Sequence, residues 1–318
     1  MKRWISWLSV LLGVQVLLSA ALLWSGQKAS FNQVEPLFAS PLAEADKIVI
    51  HDEDGNEVTL VRDGETWKLP DLYDLKADQS KLRKALETLS GLKRGWPVAR
   101  TETSHERFKV TDKVHVRKIT FYKGDSPWQT VYLGTSPAFK RIHLRKDGET
   151  EVYAVDFAAY ELPAKASDWL DTRVAAVDTD ALSRIEGPDF ALVRDGDQWK
   201  LEKVPEGKVQ DDKGVESLLD DLKTLSILDV LGKAPEPEYG LDSPVVNWTL
   251  TPRSGAPFTL RLGKHKDGWY ALQRSDMPLV YKVAAYVGDK LAAMGIGPLT
   301  KAAPAQDTEP ARRSETEQ

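Results

Sequence analysis

The chain contains an internal sequence repeat, which limits its possible folds more than any other feature. Residues 58–69 read VTLVRDGETWKL and residues 190–201 read FALVRDGDQWKL, with eight of the twelve positions identical. The two tryptophans, Trp67 and Trp199, lie 132 positions apart. The similarity continues downstream through a leucine-rich segment, a V-Y-L-G or L-R-L-G segment and a Val-Tyr pair. The same segments occur in the same order in both halves over more than 100 residues, which predicts a tandem duplication of one structural unit.

Each unit is predicted to be a β-rich α+β layer, with a mostly antiparallel sheet and one packed amphipathic helix. Alternating apolar and polar residues indicate strands in the first unit, at 47–51, 58–62, 116–122, 129–133, 142–145 and 152–155. Asp-Gly pairs between them favour tight turns. In each unit, leucines three or four positions apart follow a predicted N-cap, Asp78 or Asp212. The leucine stripe needs the sheet to cover it, and Trp67 and Trp199 are predicted to be buried beside it.

The first residues predict a membrane anchor. Residues 4–24 contain no charged side chain, and such a helix would be about 30 Å long, the thickness of a bilayer's hydrocarbon core. The positive-inside rule places Lys2 and Arg3 in the cytoplasm. We therefore expect a single-pass protein of the bacterial inner (cytoplasmic) membrane, with its N-terminus cytoplasmic and its bulk periplasmic or extracytoplasmic. A cleaved signal peptide, with its cleavage site near residues 19–21, is the alternative.

These patterns divide the 318 residues into four predicted segments. They are a transmembrane anchor at 1–27, a first α+β repeat at 40–172, a second α+β repeat at 173–297 and a disordered tail at 302–318. The tail is rich in Pro, Ala, Glu, Thr and Arg and lacks apolar periodicity, a composition that cannot build a core.

The composition argues against several classes of function. The formal net charge is −5, and without Lys2 and Arg3 the rest of the chain carries −7. The sequence also lacks the clusters of Lys and Arg that bind a phosphate backbone, which argues against a nucleic-acid-binding protein. The absence of cysteine excludes disulfides, thiolate metal ligands and cysteine nucleophiles.

No catalytic, metal-binding or cofactor-binding residue is predicted. No two histidines are spaced three or four positions apart, so they are interpreted as surface or strand-edge imidazoles: His51, His105, His115, His143 and His265. The acidic run at 52–57 resembles the start of a calcium loop but lacks glutamate at its twelfth position, so a hairpin turn is the preferred interpretation. Two acidic pairs are interpreted as solvated groups, Asp71 with Asp74 and Asp220 with Asp221.

Each unit also resembles the repeats of a known family. The pattern is an R-x-G-x-x-W-x-L hairpin, a leucine helix and a Tyr-Gly-Leu-Asp-Ser-Pro segment, here at Leu192–Leu201, Val215–Leu225 and Tyr239–Pro244. The first unit carries a degenerate last segment at 108–112. This pattern resembles the tandem repeats of domain of unknown function 4340. The resemblance implies a bacterial, membrane-anchored, exported protein of a family often encoded beside ABC transporters of the gliding-motility type, and it carries over no catalytic residue.

The expected function is a non-enzymatic, membrane-anchored extracytoplasmic accessory subunit of such an ABC-type transporter complex. Its expected partners are the membrane and a transporter subunit with an extracytoplasmic domain, with no cofactor and no nucleic acid. The alternative is a membrane-tethered ligand- or glycan-binding module of the cell envelope. An envelope hydrolase with a site assembled from distant residues is a third hypothesis.

Overall fold

The structure is a computed structural model that describes residues 7, 12–19 and 35–304. The chain divides into two compact units. One comprises Met1–Asp71 with Gln79–Asp168, and the other comprises Leu72–Asp78 with Trp169–Gln318.

The prediction of a membrane-spanning helix is overturned. Among the described residues, no helix is long and apolar enough to cross a membrane. The single-pass inner-membrane localisation rested on the predicted helix and is corrected with it. The rest of the predicted span at 4–24, and residues 305–318 of the predicted tail, lie outside the described residues.

Strands outnumber helices in the described part of the chain. The strands are β1 (Lys47–Asp52), β2 (Glu57–Asp63), β3 (Thr66–Leu69), β4 (Leu75–Lys76), β5 (Arg117–Lys123), β6 (Ser126–Leu133), β7 (Ile142–Lys146), β8 (Tyr153–Val155), β9 (Leu182–Glu186), β10 (Ala191–Asp195), β11 (Gln198–Leu201), β12 (Lys208–Gln210), β13 (Asp229–Gly232), β14 (Val246–Pro252), β15 (Phe258–Lys264), β16 (Tyr270–Arg274), β17 (Val280–Val283) and β18 (Thr300–Ala302). The α-helices are α1 (Gln79–Ser90), α2 (Glu102–Arg107), α3 (Asp212–Lys223) and α4 (Ala285–Ala292). Short 3-10 turns lie at Leu42–Glu44, Pro70–Leu72, Ala159–Glu161, Ala166–Trp169, Thr179–Ala181 and Pro237–Tyr239.

The first unit is built on an antiparallel sheet in which the strands follow the order β3-β2-β1-β5-β6-β7-β8. The central strand β1 places Ile48 between Leu60 and Phe121, and all three side chains are fully buried. The leucine stripe of α1 is buried as well, at Leu82, Leu86 and Leu89. The core therefore lies between one face of this sheet and the helix.

The second unit has an eight-stranded antiparallel sheet in the order β11-β10-β9-β14-β15-β16-β17-β13. Its central pairing sets Ile185 opposite Leu192 and Leu250, all fully buried. Helix α3 buries Val215, Leu218 and Leu222. A separate two-stranded sheet joins β12 to β18.

The α+β fold class is wrong as predicted, because the structure is mostly β, with two large antiparallel sheets and few helices. The reason is that each leucine stripe makes one helix of 12 residues, while period-two segments fill most of the remaining chain. The predicted N-cap at Asp212 is wrong by one position, since α3 begins at that residue and Asp211 precedes it in extended conformation.

Candidate functional site

The first unit carries an apolar groove of about 400 Å³ beside the start of β7. We call it the β7 groove; its walls come from the loop that follows β6, from residues 139–142 and from residues 158–160 at the start of the 3-10 turn Ala159–Glu161. Two aromatic side chains at its rim face solvent, with Phe139 87% exposed and Tyr160 64% exposed. Large aromatic side chains are usually covered in a folded unit, so their exposure beside an apolar groove indicates a binding surface.

The loop that carries Phe139 is held in one conformation by its own polar groups. The Arg141 N–H donates to the Ala138 carbonyl oxygen at 3.1 Å, which closes a tight turn. The Ser136 hydroxyl lies 2.8 Å from the Ala138 carbonyl oxygen and 2.5 Å from that of Arg141. Lys140 takes the left-handed conformation at a φ of 53°, which is uncommon for a residue other than glycine. The turn therefore presents Phe139 to solvent in a fixed position.

Cationic side chains flank the β7 groove. The Arg141 guanidinium donates to the carbonyl oxygen of Ala154 at 2.8 Å and lies 3.3 Å from the Asp156 carboxylate. The Lys140 ammonium lies 5.6 Å from the centre of the Phe139 ring. An apolar floor with aromatic and arginine side chains at its rim has the composition of a protein-binding patch.

The second unit carries a larger and more polar cavity of about 590 Å³ between β11 and α3. Trp199, Val215 and Leu219 supply its apolar lining, and Asp197 and Glu216 are among its polar groups. The Gln210 amide, also in the lining, donates to the Trp199 carbonyl oxygen and to the Asp212 carboxylate, at 2.8 Å each. Such a cavity has the size and mixed lining of a small-molecule site.

Trp67 and Trp199 are both buried, with 8% exposed in each case, so the prediction that they are core residues is confirmed. Trp67 lies on β3 opposite Arg62, and Trp199 lies on β11 opposite Arg194. Each ring is therefore held on the last strand of a hairpin, next to its leucine helix.

Each unit has a glycine that lets a neighbouring segment pack directly against a strand. The glycine is Gly134, just after β6, in the first unit and Gly263, within β15, in the second. A Cβ on Gly134 would lie 1.9 Å from the Phe108 carbonyl oxygen, and a Cβ on Gly263 would lie 2.1 Å from that of Tyr239. The residue after each aromatic has positive φ, 55° at Lys109 and 67° at Gly240. Residues 108–110 and 239–241 thus cross their sheets in similar ways, although only the second has glycine at the turn.

Residues 67–244, more than half of the chain, match the family described as Domain of unknown function (DUF4340). The chain belongs to this family. The curated proteins and the solved structures compared with it give no match. The matched segment contains the β7 groove, both buried tryptophans and both close-packed aromatic segments up to residue 244.

Three of the five histidines in this DUF4340 chain are buried, so the prediction of surface imidazoles is wrong for His105, His143 and His265. His143 stacks on Phe108 with ring centres 4.1 Å apart, and His265 stacks on Trp269 at the same distance. Burial disfavours the charged imidazole and lowers the pKa of His143, against the opposing effect of the Thr135 backbone. These rings pack as flat apolar surfaces.

The acidic run at 52–57 forms the β1–β2 hairpin, as predicted. Asp52 accepts hydrogen bonds from the backbone N–H groups of Asp54 and Asn56 and from the Asn56 amide, at 2.8–3.0 Å. Burial alone would raise the pKa of Asp52, but these bonds and the nearby Arg117 guanidinium hold it below its usual value. Within the described part of the chain, no group of three or more His, Cys, Asp or Glu residues could hold a metal ion.

The acidic residues that were paired by sequence have separate structural roles. Asp71 accepts from the backbone N–H of Thr59 at 3.3 Å. Asp221 is mostly buried and lies 3.5 Å from the Lys290 ammonium of α4. The prediction that the second pair is solvated is therefore wrong at Asp221, where the carboxylate helps join two helices.

Proposed function

We propose that this protein is a non-catalytic binding subunit that docks on a protein partner through the β7 groove. The observation that carries this proposal is the exposure of Phe139 and Tyr160 at the rim of the groove. Burying two such rings against a partner supplies a hot spot, because aromatic side chains contribute large apolar area at small entropic cost. Lys140 and Arg141 beside them favour a partner surface with acidic groups.

The family resemblance supplies the expected partner class. Proteins with this repeat pattern are often encoded beside ABC transporters of the gliding-motility type, so the proposed partner is a subunit of such an assembly. The function proposed for this chain is to act as its accessory subunit.

The proposal includes a tandem duplication of one DUF4340 unit. It is supported by the similar hairpins around Trp67 and Trp199, identical at eight of twelve positions, and by the common strand order, in which β2-β1-β5-β6-β7-β8 corresponds to β10-β9-β14-β15-β16-β17. The close approach of the chain over Gly134 and Gly263 adds to this support. A duplicated scaffold allows one copy to keep a structural role while the other develops a binding surface, and the groove lies in the first copy.

The experiment is capture of partners by the tagged full chain under mild crosslinking, quantified by mass spectrometry against a double variant, Phe139→Ala with Tyr160→Ala. Loss of two hot-spot aromatics should lower the recovery of a specific transporter subunit by at least about tenfold. The matched control is Tyr286→Ala, which removes an aromatic side chain of similar exposure from the second unit. Equal recovery by the double variant and the control would contradict the proposal.

A second candidate function is a ligand-binding module, favoured by the cavity between β11 and α3. The combination of an indole edge, amides and carboxylates suits a polyhydroxylated or amine-bearing small molecule. A thermal-shift screen of oligosaccharides and polyamines tests this candidate. A stabilising compound should lose its effect in Glu216→Ala, while a panel with no stabilising compound would count against it.

A further inference from the structure

The corresponding strands β8 and β17 are almost the same in sequence but differ in what covers their outer edges. Residues 152–155 read V-Y-A-V and residues 280–283 read V-Y-K-V, so three of four positions are identical. In the second unit, β13 pairs along the outer edge of β17. In the first unit, β8 is itself the last strand of the sheet. The two units therefore differ by one strand at the same place.

The hydrogen bonds at these two edges make the difference specific. The backbone N–H of Leu228, just before β13, donates to the carbonyl oxygen of Lys282 at 2.7 Å. Ala154 is the counterpart of Lys282, and its carbonyl oxygen accepts from the Arg141 guanidinium instead. The Arg141 side chain is 49% exposed, so it can leave this position for solvent at little cost. A side chain thus occupies the acceptor that a strand uses in the second unit.

The backbone of Ala154 faces away from its own sheet. His143, the β7 residue opposite Ala154, directs its N–H and carbonyl groups to the other side, where they bond with Thr135 and Gly134. Val152, two positions before Ala154, bonds outward with Val98 and Ala99. Because strand residues two apart point the same way, the N–H and carbonyl groups of Ala154 also point outward.

The outer cover of the first unit ends where Ala154 begins. Val98 and Ala99 form hydrogen bonds with Val152, and the residue before them is Pro97. Proline carries no N–H, so Pro97 cannot donate to the Ala154 carbonyl oxygen. Within the described residues, no strand pairs with the outer side of β8. The β7 groove opens at this end of the strand, since Ile142 in its wall pairs with Val155.

We propose that β8 accepts an extended segment of a partner protein as an added antiparallel strand with the chemistry of β13, an acidic residue followed by apolar residues. Asp229 of β13 lies opposite Lys282, an opposite-charge pair across the strands. In the first unit the cation at this edge is Arg141. When the added strand donates to the Ala154 carbonyl oxygen, the Arg141 guanidinium leaves that oxygen and forms an ion pair with the acidic residue of the added strand. The following apolar side chains enter the β7 groove. Main-chain bonds supply affinity and the groove supplies specificity, as in other cases of strand addition. This inference rests on the proposed function for the existence of a protein partner.

The test uses a synthetic peptide with the sequence of residues 226–233, Ser-Ile-Leu-Asp-Val-Leu-Gly-Lys, added to the full chain. Hydrogen exchange of the backbone at residues 153–156 should slow by at least about fivefold with the peptide at about 1 mM, the weak end of measurable affinity. With a second peptide in which asparagine replaces the aspartate, so that no ion pair with Arg141 can form, Arg141→Ala frees the Ala154 carbonyl and should tighten binding by about threefold to tenfold. Far-ultraviolet circular dichroism checks that each protein is folded before its hydrogen exchange and its peptide affinity are measured.

Two peptide variants separate strand addition from general stickiness without changing the protein. N-methylation of the first leucine, the counterpart of Leu228, removes the donor to Ala154 and should abolish the slowing of exchange. N-methylation of the final lysine, which lies beyond the last paired residue of β13, should leave it intact. No slowing at residues 153–156, equal effects of both methylated peptides, or slowing without peptide that rises with protein concentration would each overturn the inference. The last outcome would indicate a second copy of the chain at this edge.

The two proposals fail in different ways. If the partner is lost on replacing Phe139 and Tyr160 but the peptide neither slows exchange nor competes for the partner, the groove binds a partner without strand addition. If the peptide binds β8 but the aromatic replacements leave partner recovery unchanged, the edge accepts a strand and the proposed docking role of the groove fails.

Discussion

The side-chain amide of Gln79 holds both backbone polar groups of Trp67, donating from Nε2 to its carbonyl oxygen and accepting at Oε1 from its N–H, each at 2.9 Å. Gln210 bridges the corresponding strand in the second unit, with Leu201 N–H as donor and Trp199 carbonyl oxygen as acceptor. A glutamine at or just before the start of each leucine helix thus satisfies polar groups of the tryptophan strand.

Gln79→Ala should therefore lower the free energy of unfolding by about 1–3 kcal/mol, because it leaves two partly buried backbone groups of Trp67 without their partner. Urea unfolding followed by tryptophan fluorescence measures the change. Glu87→Ala, an exposed substitution on the same helix, is the control and should change the value by less than about 0.5 kcal/mol. Equal values for the two variants would mean that water replaces the amide without loss.

Replacing either buried tryptophan with alanine should cost about 3–5 kcal/mol, the usual range for emptying an aromatic site in a core. The free energy of unfolding of Trp67→Ala and Trp199→Ala is measured by chemical denaturation. The chain offers a matched control in Trp96→Ala, because Trp96 is 84% exposed and its loss should cost less than about 0.5 kcal/mol. A small loss for Trp67 would show that the hairpin tolerates the cavity.

The strands could be predicted from the sequence because each has one covered face. In β1, buried and half-buried residues alternate from Lys47 to Asp52, so period two is visible in the sequence. The sequence of β7 alternates in the same way, but its burial does not, since Ile142, His143 and Leu144 are all buried. Its histidine was therefore interpreted as a surface residue, and only the approach of Phe108 from a distant segment explains its burial.

The binding surface could not be predicted from local patterns. Phe139 and Tyr160 are 21 positions apart, and neither position reveals that its ring stays uncovered. The open edge of β8 depends on what is absent beside it, which becomes visible only when β17 and its covering strand are compared. The glutamine bridges were missed for a related reason, because a single glutamine near the start of a helix has no distinctive spacing.

The stability of the protein should fall as the pH is lowered through the range below the ordinary histidine value of 6.5, because burial lowers the pKa of His143 in the folded state. Between the two pKa values the unfolded chain binds a proton that the folded chain does not, so acid favours unfolding there. This contribution is fully present above 6.5 and is lost as the pH falls toward the folded value. His143→Phe keeps a ring on Phe108 and should show a flatter profile of unfolding free energy between about pH 7 and pH 5. Above about pH 7 the two proteins should have parallel profiles. A fall of the same size in both would assign the effect to other groups.

Gly134→Ala and Gly263→Ala should each destabilise the protein by more than about 2 kcal/mol, because the added methyl groups overlap backbone atoms that cannot move aside. Both glycines face a carbonyl oxygen, of Phe108 or of Tyr239, at a distance that no methyl group can share. Gly95→Ala is the matched control, since no atom lies within 4 Å of its added Cβ and its φ is not positive. Thermal and urea unfolding of the three variants measure the difference. The Gly134 substitution should also displace the segment that stacks on His143, so the pH profile of that variant should flatten as the ring becomes solvated. A Gly134→Ala protein with unchanged stability and an unchanged pH profile would show that the 108–110 segment does not lie against the end of β6 in solution.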